Sequence, residues 1–260
     1  MRLDKCSVLA LVFAVLGMPA IAQAQSAGAQ PAEAQAAKAR SENPAPTLLA
    51  TAHLESIANL PYYFRLYRAR LPAAQHATYR GSGAMLYDLK GASAIEIEGA
   101  AAQPLAEGTG VFVAAGQAVT IRASASDPTD LLLFVLSARP NQPPPLDRPA
   151  VTKELFRTGE ALPGLHAGPY EFTLTRLTLP AGMSADAPHY RTGAALNYIL
   201  AGTGSLIADG KTEPMPAGTA QASLSGWFHQ WANPGDTPLV IVRAEITQEG
   251  APAVVPGPAK

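Results

Sequence analysis

A 13-residue stretch of this chain occurs twice. Pro61-Tyr-Tyr-Phe-Arg-Leu-Tyr-Arg-Ala-Arg-Leu-Pro-Ala73 and Pro169-Tyr-Glu-Phe-Thr-Leu-Thr-Arg-Leu-Thr-Leu-Pro-Ala181 lie 108 residues apart and agree at eight of 13 positions. Ordinary residue frequencies give fewer than about one such match. An internal duplication therefore governs what the chain folds into. The correspondence runs on through Tyr79-Arg80 with Gly91 and Tyr190-Arg191 with Gly202, the Arg-to-Gly spacing being 11 in both. Gly108 with Gly116 answers Gly218 with Gly226, and Leu131–Val135 answers Leu239–Arg243. The Pro-rich run Arg139-Pro-Asn-Gln-Pro-Pro-Pro145 favours an extended connector between the copies.

Each copy reads as strands. Phe172, Leu174 and Arg176 alternate with Thr173, Thr175 and Leu177 on a two-residue period, and short apolar runs follow between Gly and Pro turns at 195–200, 204–208 and 238–246. With 24 Pro and 22 Gly spread along 260 residues, long helices are unsupported. Many short strands between turns predict a sandwich or barrel.

The ends read differently from the copies. Arg2 and Lys5 precede the apolar run Val8–Leu16, and Ala22-Gln23-Ala24 offers a small-x-small cleavage pattern. Residues 1–24 are thus expected to be an export signal, giving a soluble periplasmic or secreted product. Cys6, the only cysteine, lies ahead of the apolar run and is lost with it. That excludes a disulfide framework and a Cys-rich zinc site. Removing Arg2, Lys5 and Asp4 leaves 17 basic and 19 acidic residues. Nothing in that balance draws the chain to nucleic acid, and no later segment predicts stable membrane insertion. Residues 25–46 read as a disordered Ala/Pro-rich leader, 47–140 and 150–249 as the two barrels, 141–149 as the linker and 250–260 as a flexible tail.

The second copy resembles a cupin, and the duplicated chain a bicupin of two tandem antiparallel jelly-roll barrels. Gly182, Pro188-His189-Tyr190-Arg191, Ala195 and Tyr198-Ile-Leu-Ala-Gly202-Thr-Gly204 fall on the first cupin motif. Gly218, Leu224, Gly226, His229 and Asn233 have the spacing of the second, with Leu224 where the family usually has Pro. The resemblance places a metal site at His189 and His229, but Arg191 stands for the second His and Ala195 for the Glu. It leaves open one divalent first-row metal (Fe, Mn, Cu, Ni or Zn), held by two imidazoles and an unconventional third ligand. In the first copy Thr78, Arg80, Ala84 and Val119 take those positions, which implies a structural or partner-binding barrel.

Strand alternation puts His189, Arg191 and Ala195 on one face and Tyr190 on the other. An inward guanidinium there suits a carboxylate, phosphate or polar sugar; the competing reading is an Arg that ties strands together. Asn197, Trp227 and Trp231 join His229 as candidate pocket residues, against the alternative that the two Trp fill core volume. Asn233 is expected to tie the Asn233-Pro234-Gly235-Asp236 turn. His53, His76 and His166 read as solvated, and Glu171 and Asp186 as isolated carboxylates. Two functions follow. In one, an exported bicupin binds a small polar or anionic molecule in its C-terminal barrel. In the other, a cupin metalloenzyme (dioxygenase, decarboxylase, lyase or isomerase) uses His189 and His229. A homo-oligomer formed through paired sheets fits either, and enzymatic activity stays open.

Overall fold

The computed structural model describes residues 45–57, 60–185 and 187–257. The segment expected to be an export signal, nearly all of the expected leader, Cys6 and Asp186 lie outside them. The described residues hold strands and turns, with no helix and hence none long and apolar enough to cross a membrane. The first copy supplies β1 (Thr47–Ile57), β2 (Tyr63–Leu71), β3 (His76–Tyr79), β4 (Ala84–Lys90), β5 (Ala92–Ile97), β6 (Gln103–Ala106), β7 (Gly110–Val113), β8 (Val119–Ala123) and β9 (Thr129–Ser137). The second supplies β10 (Val151–Arg157), β11 (Gly168–Leu179), β12 (His189–Arg191), β13 (Ala194–Ala201), β14 (Thr203–Ala208), β15 (Lys211–Pro216), β16 (Ala220–Ser223), β17 (Phe228–Ala232), β18 (Leu239–Gln248) and β19 (Val254–Pro256).

These strands form two antiparallel two-sheet barrels. The first is built from β10-β2-β9-β4-β7 and β3-β8-β5-β6, the second from β1-β11-β18-β13-β16 and β15-β14-β17-β12-β19. The copies exchange their first strands. β1 pairs along β11, from Thr47 opposite Arg176 to Ile57 opposite Gly168, while β10 pairs along β2, from Val151 opposite Arg70 to Arg157 opposite Arg65. A boundary drawn at the linker thus divides the sequence but not the sheets. Each repeated 13-mer forms the strand that receives the other copy's first strand. One clamp is ionic: Arg65 on β2 donates to Glu154 on β10 at 2.5 Å, and Glu154 also meets Arg157 at 2.8 Å.

The segments read as linker and tail also pair. Leu146 bridges Tyr79, and the Arg80 N–H donates to the Pro145 carbonyl at 2.9 Å. Residues 254–256 form β19 along β12. Proline lacks an N–H, so a Pro-rich run reads as unpaired; an edge strand needs donors only at alternate residues, and that is how these segments are accommodated.

Strand alternation distributes the core. On β9 the side chains of Leu132, Phe134 and Leu136 join Phe172 and Leu174 of β11 and Val242, Ala244 and Ile246 of β18 in one cluster between the barrels. Leu131, Leu133 and Val135 point the other way, into the first barrel with Tyr79, Leu86, Val119 and Ile121. Phe112 and Phe172 meet edge to face at 6.2 Å across the seam. Burying such side chains stabilises the fold by about 1.5–3 kcal/mol each. In the second barrel, Leu177, Leu179, Ile199, Leu206, Leu239, Ile241 and Trp231 fill one end of the interior only.

The first barrel's core contains one carboxyl, Asp88, which is fully buried and accepts a bond from the Ser93 hydroxyl at 3.0 Å. Burial pushes its pKa up from 3.8 to about 6, with the Glu107 and Asp130 carboxylates adding to the rise and bonds from Ser93 and the Lys90 backbone opposing it. The folded state therefore holds a proton that the unfolded chain releases, and the associated stability disappears as pH rises from 3.8 through 6. Asp88→Asn is expected to stabilise the protein by on the order of 1–3 kcal/mol at pH 7.5 and hardly at all near pH 4. Thermal unfolding at the two pH values checks this; equal effects at both would refute it.

Candidate functional site

β12 brings the site residues inward. His189 and Arg191 are 3% and 2% exposed, while Tyr190 between them is 37% exposed on the outer face against Phe228. Gly193 then lets the chain cross β18, because a Cβ there would collide with the Ile246 carbonyl. On β17, His229 lies directly opposite His189, and their rings are 4.8 Å apart. From β18, Glu245 and Arg243 face inward, opposite Ala195 and Asn197 of β13.

A polar network fills this end of the barrel. Arg191 donates through one terminal nitrogen to Glu245 at 2.5 Å, and the Thr247 hydroxyl reaches the same carboxylate oxygen at 3.4 Å. Arg243 Nε donates to Asn197 Oδ1 at 2.7 Å, so the Asn197 amide points its nitrogen toward Gln221 and, at 3.2 Å, Ser223. The guanidinium groups of Arg191 and Arg243 and the carboxylate of Glu245 are thus all buried in the second barrel. Four polar positions in this interior have no hydrogen-bond partner: Arg191 Nε and its second terminal nitrogen, His229 Nε2 and Trp231 Nε1.

The protonation of His229 follows from its contacts. Burial lowers its pKa from 6.5 to about 4; the Trp227 carbonyl opposes the fall, while Arg191, His189 and Arg243 reinforce it. His229 is therefore neutral at pH 7. Its Nδ1 lies 3.0 Å from the Trp227 carbonyl, which only accepts, so Nδ1 carries the proton and Nε2 presents a lone pair to the interior.

The two tryptophans separate. Trp227 is half-buried at the rim, stacked on His229 at 4.9 Å and 15°, with its N–H 3.4 Å from Asp209. Trp231 is buried in the apolar end, as core filling predicts, yet its N–H is unpartnered there. Asn233 ties the turn through the Leu179, Pro180 and Thr237 carbonyls. His53, His76, His166 and Glu171 are exposed.

The strand pairing corrects three sequence correspondences. Val119 sits opposite Tyr79 as His229 sits opposite His189, so Tyr79, not Thr78, answers His189. Ala84 pairs with Val135 and Ala195 with Glu245, moving the β9–β18 match two residues from the Leu131–Leu239 alignment. The stretch from Tyr79 to Ala84 is one residue shorter than that from His189 to Ala195. Odd shortening reverses the strand's phase, so Arg80 is exposed where Arg191 is buried, and the shared Tyr-Arg carries no shared role. In the first barrel Val119, Val135, Leu133, Leu86 and Val113 take the places of His229, Glu245, Arg243, Asn197 and Ser223. That interior is apolar at each of these positions. Sequence reading missed Glu245 and Arg243; their signal was the alternation of polar residues at 243, 245 and 247 in an otherwise apolar strand.

A resident divalent metal does not fit this donor set. His189 and His229 supply two imidazoles, but no group of three or more His, Cys, Asp or Glu able to hold a metal occurs among the described residues. The nearest inward carboxylate, Glu245, is engaged by Arg191, whose positive charge opposes a second cation.

The cupin domain family matches residues 175–244, from within β11 to within β18. No curated protein matches the chain. Among solved structures, AerE from Microcystis aeruginosa is similar with a TM-score of 0.53 at 13% identity, over 78% of this chain and 99% of that one. Bacillus subtilis oxalate decarboxylase gives a TM-score of 0.54 at 13% identity over 78% of each chain. A second structure of that enzyme, which has Mn(II) centres, gives 0.52 at 13% over 82% of this chain and 77% of that one. Likeness at this identity shows the fold: all-β, with two tandem cupin-type jelly-roll barrels.

Two outcomes follow from the buried network. Glu245→Ala strands the Arg191 charge and is expected to cost about 3–5 kcal/mol, whereas Arg191→Met with Glu245→Leu should restore most of that stability; urea unfolding of both variants decides. For His229, long-range 1H–15N NMR should show a proton on Nδ1 at pH 7 and a titration midpoint near 4. Between pH 6.5 and 4 the unfolded chain binds more protons than the folded one, so His229 makes stability fall as pH is lowered through that window. A midpoint above 6 would contradict this environment.

Proposed function

We propose that this protein binds a small monoanionic molecule, a hydroxycarboxylate, inside its second barrel without a resident metal, and that it does so after export. The observation that carries this reading is the half-satisfied buried guanidinium of Arg191. Arg191 is 2% exposed, and its Nε and second terminal nitrogen have no hydrogen-bond partner. Buried donors left unsatisfied cost about 1–3 kcal/mol, more on a charged group, and an anionic ligand satisfies them. A carboxylate meets the flat edge of Arg191, and a ligand hydroxyl donates to the His229 Nε2 lone pair. Support for export is the charged start, apolar run and small-x-small pattern within residues 1–24.

Isothermal titration of the mature protein with glycolate, lactate, acetate and propionate tests the proposal. Glycolate and lactate should bind, and more tightly than their hydroxyl-free counterparts. Arg191→Lys retains the charge beside Glu245 but not the planar fork, and should weaken binding by at least about 30-fold. His229→Ala should abolish the preference for the hydroxyl. No heat from any acid, or wild-type affinity in Arg191→Lys, would refute the reading. Stoichiometric Fe, Mn, Cu, Ni or Zn that His189→Ala with His229→Ala removes would instead establish the metalloenzyme.

A further inference from the structure

The strand that carries His189 and Arg191 is three residues long and meets β17 at two positions, His189 with His229 and Tyr190 with Phe228, while the turn before β17 adds bonds from Gly226 N–H to the Arg191 carbonyl at 2.9 Å and from the Ser225 hydroxyl to the Thr192 carbonyl at 3.0 Å. Its other edge is covered by residues 252–257. β19 pairs His189 with Pro256, Tyr190 with Val255 and Arg191 with Val254. Beyond the strand ends, Thr192 N–H donates to the Ala253 carbonyl at 3.3 Å and Gly257 N–H to the Pro188 carbonyl at 3.0 Å. The Thr192 hydroxyl adds a bond to the Pro252 carbonyl at 2.6 Å. Antiparallel ladders alternate bonded and non-bonded pairs, so 192 with 253, 190 with 255 and 188 with 257 are the bonded ones. Pro252 and Pro256 fall between them, where no N–H is needed. Gly257 passes under the Phe228 ring, which a Cβ there would strike.

This attachment is complete in hydrogen bonding and poor in apolar burial: all three β19 residues are exposed, Val255 at 42%. Segments of that kind open at low free energy. The groups facing the interior are nearly sealed from solvent, and β12, whose whole outer edge is covered by this segment, is the wall that bears two of them. We infer that residues 252–257 are a strap that fixes β12, setting the position of His189 and Arg191, and that its detachment opens the second barrel's interior. The ligand side of this inference rests on the anion-binding function proposed above; the mechanical side does not.

Hydrogen exchange in the ligand-free protein reads the strap directly. Val255→Pro in the full chain removes the central strap donor, and a chain stopped after Gly250 removes the strap altogether. Both should accelerate exchange of the Tyr190 and Thr192 amides by at least about tenfold while the β18 amides keep their protection. A synthetic peptide of residues 251–260 should restore protection to the shortened chain, and the same peptide carrying V255P should not. With glycolate as probe, Val255→Pro should raise the dissociation constant and the dissociation rate at least about tenfold. If the Tyr190 and Thr192 amides of Val255→Pro exchange as in the wild type, the strap is refuted, whether or not the shortened chain folds. If glycolate binds neither protein while those amides lose protection, the anion reading fails and the strap stands.

Discussion

Face-to-face packing of two five-stranded sheets is the constraint on which the rest of the structure depends. Their central strands, β9 and β18, are buried on both faces, so each is one wall of the core between the barrels and one wall of its own barrel. Val242, Ala244 and Ile246 of β18 are apolar because they meet the other copy. Odd positions are free to change character along the strand, from Leu239 and Ile241 to Arg243, Glu245 and Thr247. The polar interior of the second barrel is possible because seam packing on the opposite faces of the same strands does not depend on it.

Exchange of first strands strengthens that seam. Each copy lends a strand to the other's sheet, and Arg65 with Glu154 ties one of those strands in place. The barrels cannot separate without breaking two ladders. Against this background the copies have diverged internally: the first is packed with apolar residues around Tyr79 and Leu86, and the second concentrates buried charge around Arg191. The same backbone thus serves as ballast in one half and as a charged enclosure in the other.

Much of this was legible in the sequence. The 13-residue repeat and the two-residue alternation predicted paired all-β barrels, and alternation alone put His189 and Arg191 on one face. The Tyr-Arg dipeptide in both copies misled, because the one-residue difference between Tyr79–Ala84 and His189–Ala195 reverses which side chain faces in. Glu245 stayed hidden because the carboxylate lies on β18, opposite Ala195, instead of on the strand where the motif has its Glu. Pro252 and Pro256, which made this segment look unpaired, sit on rungs of the ladder that need no donor.

By itself the sequence determined the fold class, the duplication and the shared face of His189 and Arg191, because period, turn residues and repetition are local properties of the chain. Tertiary structure alone decided that the first strands cross over, that Glu245 is engaged by Arg191, and that residues 252–257 pair with β12. Each of these joins segments distant in sequence, and pairing partners are chosen by geometry and buried charge that no local pattern records.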